Sequence, residues 1–426
     1  MENLLQKRRD KILRNIIYVS LSFIATNIFG YVFHAIVSRK LGPPLYAEFS
    51  VLYAFMIALS RPVNILSWAI ARVGVTGRIA GIDYGKVKKF SIRLGLTVAF
   101  IIGLFPILFS PLISKFLKTD NMFLFFPIAL TLFLWSISGI LRGLFTSIES
   151  FGILSYSVSI ELFVRAICGI ILVLLEFQVL GALIGSAVGA LSMFVVLYSK
   201  RKHIYETYIT RKQEGIAEEG FGNITTKVFF ISVPTGFFLE LDLLLAKRFF
   251  SPEEAGIFAA TALIGKALLM FSIVASTVIY PKLVEEKLSK KGISAFLTGV
   301  LITIFLFTSG YVFFKFFEKP VILLLFGNKY AGVIGLVPLY ILALVPLALH
   351  LQVTNYKGAI GGWTEGIWLW IVLGGYYCAL EIYSSSFTSY FYAIFLFHAI
   401  TAPLSAVILY FRHKVKPHED IDIKQA

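Results

Sequence analysis

The stretch PTGFFLELDLLLAKRFFSPEEAGIFAATALIGKALLMFSIVASTVIYP, residues 234–281, decides how the chain is built. It reads as two long apolar helices joined by a short turn, Lys247-Arg248-Phe249-Phe250-Ser251-Pro252. Glu240 and Asp242 lie on the first helix and Lys266 on the second. A charge inside an apolar segment of this length costs about 2.5–3.5 kcal/mol at mid-depth of a bilayer, so such charges point to function. The same design occurs earlier, from Phe33 to Gly74, with the turn Arg39-Lys40-Leu41-Gly42-Pro43-Pro44 and with Arg61 on its second helix. Pro43 answers Pro252, Ala47 answers Gly256 and Phe49 answers Phe258, all at one offset of about 209 residues. The chain reads as one membrane unit made twice.

Composition agrees. Hydrophobic residues make up 58% of the chain and charged residues 15%, against about a quarter charged in ordinary soluble domains. Apolar runs long enough to cross a ~30 Å hydrocarbon core recur throughout, which marks a polytopic all-α membrane protein. The net charge of +15 is no nucleic-acid footprint, because the basic residues alternate with the apolar runs as an orientation signal does. The basic start leads into a segment too long for the core of a signal peptide. Cys168 and Cys378 sit inside expected spans and read as packing residues, with no disulfide framework or metal spacing around them.

The pattern places about 12 transmembrane helices, beginning with Ile16–Ser38, Tyr46–Val73 and Leu94–Leu117 and ending with Phe387–Phe411. Lysine and arginine concentrate several-fold on the side that holds both termini, which puts both termini in the cytoplasm. Residues 1–202 form an N-terminal six-helix lobe and 223–426 a C-terminal one. The acidic segment 203–222, with Glu206, Glu214, Glu218 and Glu219, reads as a cytoplasmic linker between them. Six spans per half give the second half the orientation of the first, so the repeats are parallel, as in the halves of some transporters. The expectation is two pseudo-symmetric six-helix bundles around a central cavity.

Three short motifs carry a resemblance. They are Asp242-Leu-Leu-Leu-Ala-Lys-Arg-Phe-Phe-Ser-Pro252-Glu-Glu-Ala-Gly256-Ile-Phe258, the weaker Leu41-Gly-Pro-Pro-Leu-Tyr-Ala47-Glu-Phe49, and Phe326-Gly327-Asn-Lys-Tyr330-Ala331. With them the whole chain resembles the polysaccharide flippases, the lipid-linked oligosaccharide exporters of the superfamily that includes multidrug and toxin extruders and lipid II flippases. The first-half turn departs from the family pattern, with Pro44, Leu45 and Ala47 where two acidic residues and a glycine are usual. The resemblance implies transport of a polyprenyl-diphosphate-linked glycan for cell-surface polysaccharide biosynthesis, in the cell membrane and with no nucleic acid or cofactor. It implies no enzyme.

The intramembrane charges are the candidate site. Arg61 lies roughly 22 Å and Lys266 roughly 16 Å from the outer ends of their helices at 1.5 Å per residue. From there neither snorkels easily, so each needs a wet cavity or an anionic partner. One reading has Arg61 and Lys266 facing each other across a central cavity to bind a diphosphate, Arg bidentately and Lys as a point charge. The other has each paired with a buried carboxylate that holds helices together. Asn64 shares the face of Arg61 one turn on. Glu240 and Asp242 point about 200° apart, so at most one is expected to face a given cavity; they are candidates for cavity lining or coupling, and Glu240 for the partner of Lys266. Glu161 and Arg165, four apart, are expected to pair on one helix face. Arg142 and Lys357 read as orientation charges, and His34, His350 and His398 as lone core residues.

No metal-ligand spacing or phosphate loop of Walker type occurs. The expected function is a flippase driven by the membrane potential or an ion gradient. The alternatives are an organic-cation antiporter of the same superfamily, which needs acidic cavity groups, and a membrane glycosyl ligase or polymerase, which needs a large outer loop with catalytic groups.

Overall fold

The computed structural model describes residues 2–79, 81–210, 221–286, 290–360 and 363–415. Among them all regular structure is helical, because in lipid a backbone segment must satisfy its own hydrogen bonds. Packing divides the chain into two compact units. The first is Met1–Gly236 with the short segments Phe250–Gly256 and Leu325–Lys329. The second is Phe237–Phe249, Ile257–Leu324 and Tyr330–Ala426.

In the first unit, α1 (Glu2–Ile79) runs for 78 residues through both of the first two expected spans. The expected turn at 39–44 is a one-residue kink. Gly42 alone leaves helical geometry, at φ 72° and ψ 172°, a region open essentially to glycine only. Pro43 and Pro44 then fall in the first turn of the new helical segment, where a missing N–H leaves no bond unmade. The corresponding turn of the second half is a true one. Between α8 (Phe221–Phe249) and α9 (Pro252–Glu286), the Ser251 hydroxyl accepts from the Glu254 backbone N–H at 3.3 Å, and Glu254 Oε2 accepts from the Ser251 N–H at 3.0 Å. This reciprocal cap needs the acidic residue that the first half lacks.

The remaining elements of the first unit are α2 (Tyr84–Leu108), α3 (Ser110–Leu117), α4 (Phe125–Ser147), α5 (Phe151–Leu174), α6 (Gln178–Ser199) and α7 (Arg201–Thr210). The third expected span is shifted. It starts at Tyr84 instead of Leu94, because Asp83 caps its N-terminus through a 2.8 Å bond from the Gly85 N–H. It stops at Leu108, and Pro111 opens the short α3 that follows. The start of the expected linker is helical as α7, while residues 211–220 lie outside the described residues. At one end of the unit Ile70, Leu144, Phe145 and Leu197 form a buried core that Ile204 and Tyr208 of α7 cover.

The second unit contains the end of α8, most of α9, and α10 (Lys290–Leu325), α11 (Leu336–Ile360), α12 (Trp363–Ile382) and α13 (Phe387–Val415). Its core is aromatic: Phe258 packs edge-on to Tyr340 and Tyr390, with ring centroids 5.6 Å apart in both cases. Large apolar side chains such as Leu301 and Phe305 on α10 point outward, as they do from helices bathed in lipid. Among the described residues nine helical stretches are long and apolar enough to cross a membrane. One of them, Asn27–Arg78, holds two expected spans, and Gly366–Ile382 is apolar but shorter. The chain is a multi-pass all-α membrane protein of about 12 spans, as expected.

Candidate functional site

In the first unit, intramembrane charge gathers where α1, α4 and α5 meet. Arg61 and Asn64 are half-buried on α1. The stem of Arg61 lies against Gly236 of the same unit, where a Cβ would come within 2.5 Å of Arg61 Cγ, so no larger residue fits at 236 without moving the arginine. Two turns before Arg61 on that face, the Tyr53 hydroxyl accepts a 2.5 Å hydrogen bond from Arg165 Nη1, and the guanidinium lies 5.4 Å from the centre of the Tyr53 ring. Glu161, buried, accepts a 2.6 Å bond from the Trp135 indole N–H.

Glu161 and Arg165 stand within electrostatic reach of each other, but the hydrogen bonds of each go across to another helix. Beside α5 lies α6. Gly181, Gly185 and Gly189 form a stripe spaced by four residues, and α5 presses onto it. A Cβ at Gly189 would meet Arg165 Cβ and the Glu161 carbonyl oxygen, both at 2.7 Å. That close approach seats α5 against α6, and from there Arg165 reaches Tyr53 on α1 and Glu161 reaches Trp135 on α4. Arg142, read as an orientation charge, lies within electrostatic reach of Glu161. Among the described residues, Arg142 and Arg165 thus lie within electrostatic reach of the one carboxylate Glu161, and Arg61 stands further along α1.

In the second unit the signs are reversed. Lys266 Nζ donates to Asp242 Oδ1 at 2.9 Å and to Glu240 Oε2 at 3.1 Å, with all three side chains at least about nine-tenths buried. Both carboxylates thus reach one ammonium, against the expectation from their 200° separation. The ammonium carries three donors, and the longer Glu240 chain swings round the helix to meet it. Asp242 is the more enclosed of the two. The Tyr340 hydroxyl donates to its Oδ2, and the Tyr390 hydroxyl donates to its backbone oxygen at 2.7 Å. Gly265 brings α9 close enough to α11 for this, since a Cβ there would lie 2.4 Å from the Tyr340 ring.

The histidines are not lone. His350 and His398 face each other Nδ1 to Nδ1 at 3.0 Å, so one of them must present the N–H and the other the lone pair. His34 Nδ1 lies 3.0 Å from the Tyr46 hydroxyl. No spacing in sequence announces these partners, which are brought together only by packing; for His350 and His398 they are 48 residues apart. The side chain of Lys357 lies outside the described residues.

A family model described as polysaccharide biosynthesis protein matches residues 12–287. The chain belongs to the polysaccharide biosynthesis protein family. The stretch matched holds nearly all of the candidate residues, from Tyr53 and Arg61 to Lys266. Solved structures share the fold at low identity. The inward closed conformation of the lipid II flippase MurJ superposes with a TM-score of 0.67 at 13% identity, covering 94% of this chain and 93% of that one. An inward-facing multidrug resistance MATE family transporter gives 0.66 at 11% identity over 94% and 99%. The eukaryotic MATE transporter AtDTX14 gives 0.65 at 17% identity over 94% and 96%. No curated protein sequence matches the chain. For this member of the polysaccharide biosynthesis family, the fold expected from the sequence motifs is borne out.

Proposed function

We propose that the protein is a flippase that moves a polyprenyl-diphosphate-linked oligosaccharide from the cytoplasmic to the outer leaflet, with both termini in the cytoplasm. The observation that carries the reading is membership of the polysaccharide biosynthesis family, joined to the arginines Arg61, Arg142 and Arg165 on membrane helices of the first unit. Arginine inside an apolar bundle is costly and marks a functional position, and a diphosphate suits the planar fork of its guanidinium. Family membership supports a role in making polysaccharide, and the fold is shared with a lipid II flippase. The lipid tail stays in the bilayer while the charged head crosses a polar path exposed to each side in turn. An inside-negative potential assists, by about 2.3 kcal/mol per negative charge per 100 mV.

In this reading Arg61 meets the diphosphate, with Asn64 beside it. Lys266 contributes a weaker field than a bare cation, because Glu240 and Asp242 offset it. Those two carboxylates are the feature that favours the second reading, an antiporter for organic cations, since they supply negative charge in the membrane interior. Mass spectrometry of lipids retained by the protein in mild detergent separates the two. A lipid diphosphate is expected on the wild type and is expected to be lost from Arg61→Ala, with Arg61→Lys keeping part of it. Retention of an organic cation instead, lost from Glu240→Gln, would overturn the flippase reading.

A further inference from the structure

We infer that the first unit holds a dedicated site for an anionic glycerophospholipid of the surrounding bilayer, at the end of the unit that α7 covers. A cavity of about 920 Å³ opens there between α2, α4, α6 and α7, at the upper end of the ~300–1,000 Å³ usual for small-molecule sites. Its lining changes character along its length. One end is lined by Lys88, Arg201 and Lys202; further along α2 the wall turns apolar, with the exposed Ile92 and Leu96 and the buried Ile140 of α4. Positively charged at one end and apolar at the other, this groove matches a phosphate head on an acyl chain.

Depth is set independently of charge. Tyr84, Tyr198 and Tyr205 rim the mouth, and tyrosines in membrane helices settle at the headgroup level. Tyr84 is anchored by ring contacts to Tyr205 and Tyr208, with centroids 5.6 and 5.3 Å away. Arg201 is held in place over the Tyr198 ring at 3.9 Å and donates to the Tyr198 carbonyl oxygen at 2.9 Å. Lys88 lies one turn before Ile92 and two before Leu96, so the ammonium and the apolar wall share one face of α2.

Charge then selects the occupant. Lys88 and Lys202 are exposed, and no described residue bonds either ammonium. Lys86, Lys89 and Arg93 add to the positive field at the same end of α2, and Lys200 precedes α7. Two acids also line the mouth, Asp83 and Glu206. Asp83 caps α2 through the Gly85 N–H, and against the two acids stand three bases, Lys88, Arg201 and Lys202, so the lining keeps a net charge of +1. Basic pockets between transmembrane helices bind anionic headgroups by this arrangement, each Lys or Arg near the surface adding about 1 kcal/mol. The site lies within one unit and does not depend on what the protein carries across the membrane.

The test is native mass spectrometry of the full chain released from nanodiscs, comparing phosphatidylglycerol with phosphatidylcholine of the same chain length. One phosphatidylglycerol is expected to stay bound where phosphatidylcholine does not. Lys88→Glu with Lys202→Glu should weaken that binding about tenfold or more, without moving the lipid-free melting temperature. Leu96→Trp, which fills the apolar end and leaves every charge in place, should weaken it too. That variant carries the test if the charge-reversed protein fails to fold. Equal retention of both lipids, binding unaffected by either variant, or displacement by polyprenyl phosphate at equal concentration would each overturn the inference.

Discussion

The two units solve the same problem, charge inside a membrane bundle, in opposite ways. In the second, one lysine is clasped by two carboxylates and one of these by a tyrosine hydroxyl. In the first, the described hydrogen bonds of Arg165 and Glu161 go to a tyrosine and a tryptophan. The difference teaches where to look for work and where for stability. A lysine clasped by two carboxylates spends its charge on its own helices. A cluster partnered by aromatic hydroxyl and indole groups keeps its charge available, because neutral partners satisfy hydrogen-bonding geometry without cancelling the field.

The contrast is sharpest if the second cluster is broken. Lys266→Met leaves two buried carboxylates facing each other, and stability should fall by about 3–5 kcal/mol, read as a lower melting temperature in detergent. Lys266→Met combined with Glu240→Gln should recover part of that loss; no recovery would mean that Glu240 does not depend on Lys266 as described. In the first unit the largest effect should come from packing rather than from charge. Gly189→Leu drives a side chain into α5 and should cost about 3 kcal/mol, displacing both Arg165 and Glu161. A melting temperature equal to wild type would show that α6 does not seat α5 as described.

Smaller changes refine the comparison. Tyr340→Phe removes one hydrogen bond to a buried carboxylate and should cost about 2 kcal/mol, measured in the same melt. Glu176→Gln marks the lower end. Its 2.6 Å bond from Lys40 lies exposed, with side chains 71% and 38% accessible, so stability should change by less than about 1 kcal/mol. Should this surface pair match Tyr340→Phe in effect, burial would not be what separates the clusters.

Much of the fold was legible because hydropathy in a bilayer leaves the backbone few choices. The apolar runs, their alternation with basic segments and the repeat of Pro43 and Pro252 each report a local requirement. The departures were also local but subtler. The turn at Gly42 shrank to a kink because the first half lacks the acidic cap that Glu254 supplies in the second, and α2 began early because Asp83 could cap it. The site was less legible. Lys266 was identifiable as a buried cation, and Glu240 as one candidate partner, but helical angle alone excluded a second carboxylate that a long side chain could reach. Glu161 and Arg165 were spaced to pair and lie within electrostatic reach, yet where a glycine stripe seats their helix on its neighbour their hydrogen bonds go to Trp135 and Tyr53. That stripe, small residues at every fourth position of α6, was visible in the sequence and is the signal to read. For His350 and His398 no such signal exists.

Gly42 has one more consequence. No atom lies within 4 Å of where its Cβ would stand, so what bars a side chain there is handedness and not room. L-alanine at this position should meet a torsional cost of about 1–3 kcal/mol, whereas a D-alanine introduced by chemical synthesis should sit without penalty. The bend between the first two membrane crossings is thus written in the chirality of one backbone unit, in open space, where nothing else needs to repack for the chain to change direction.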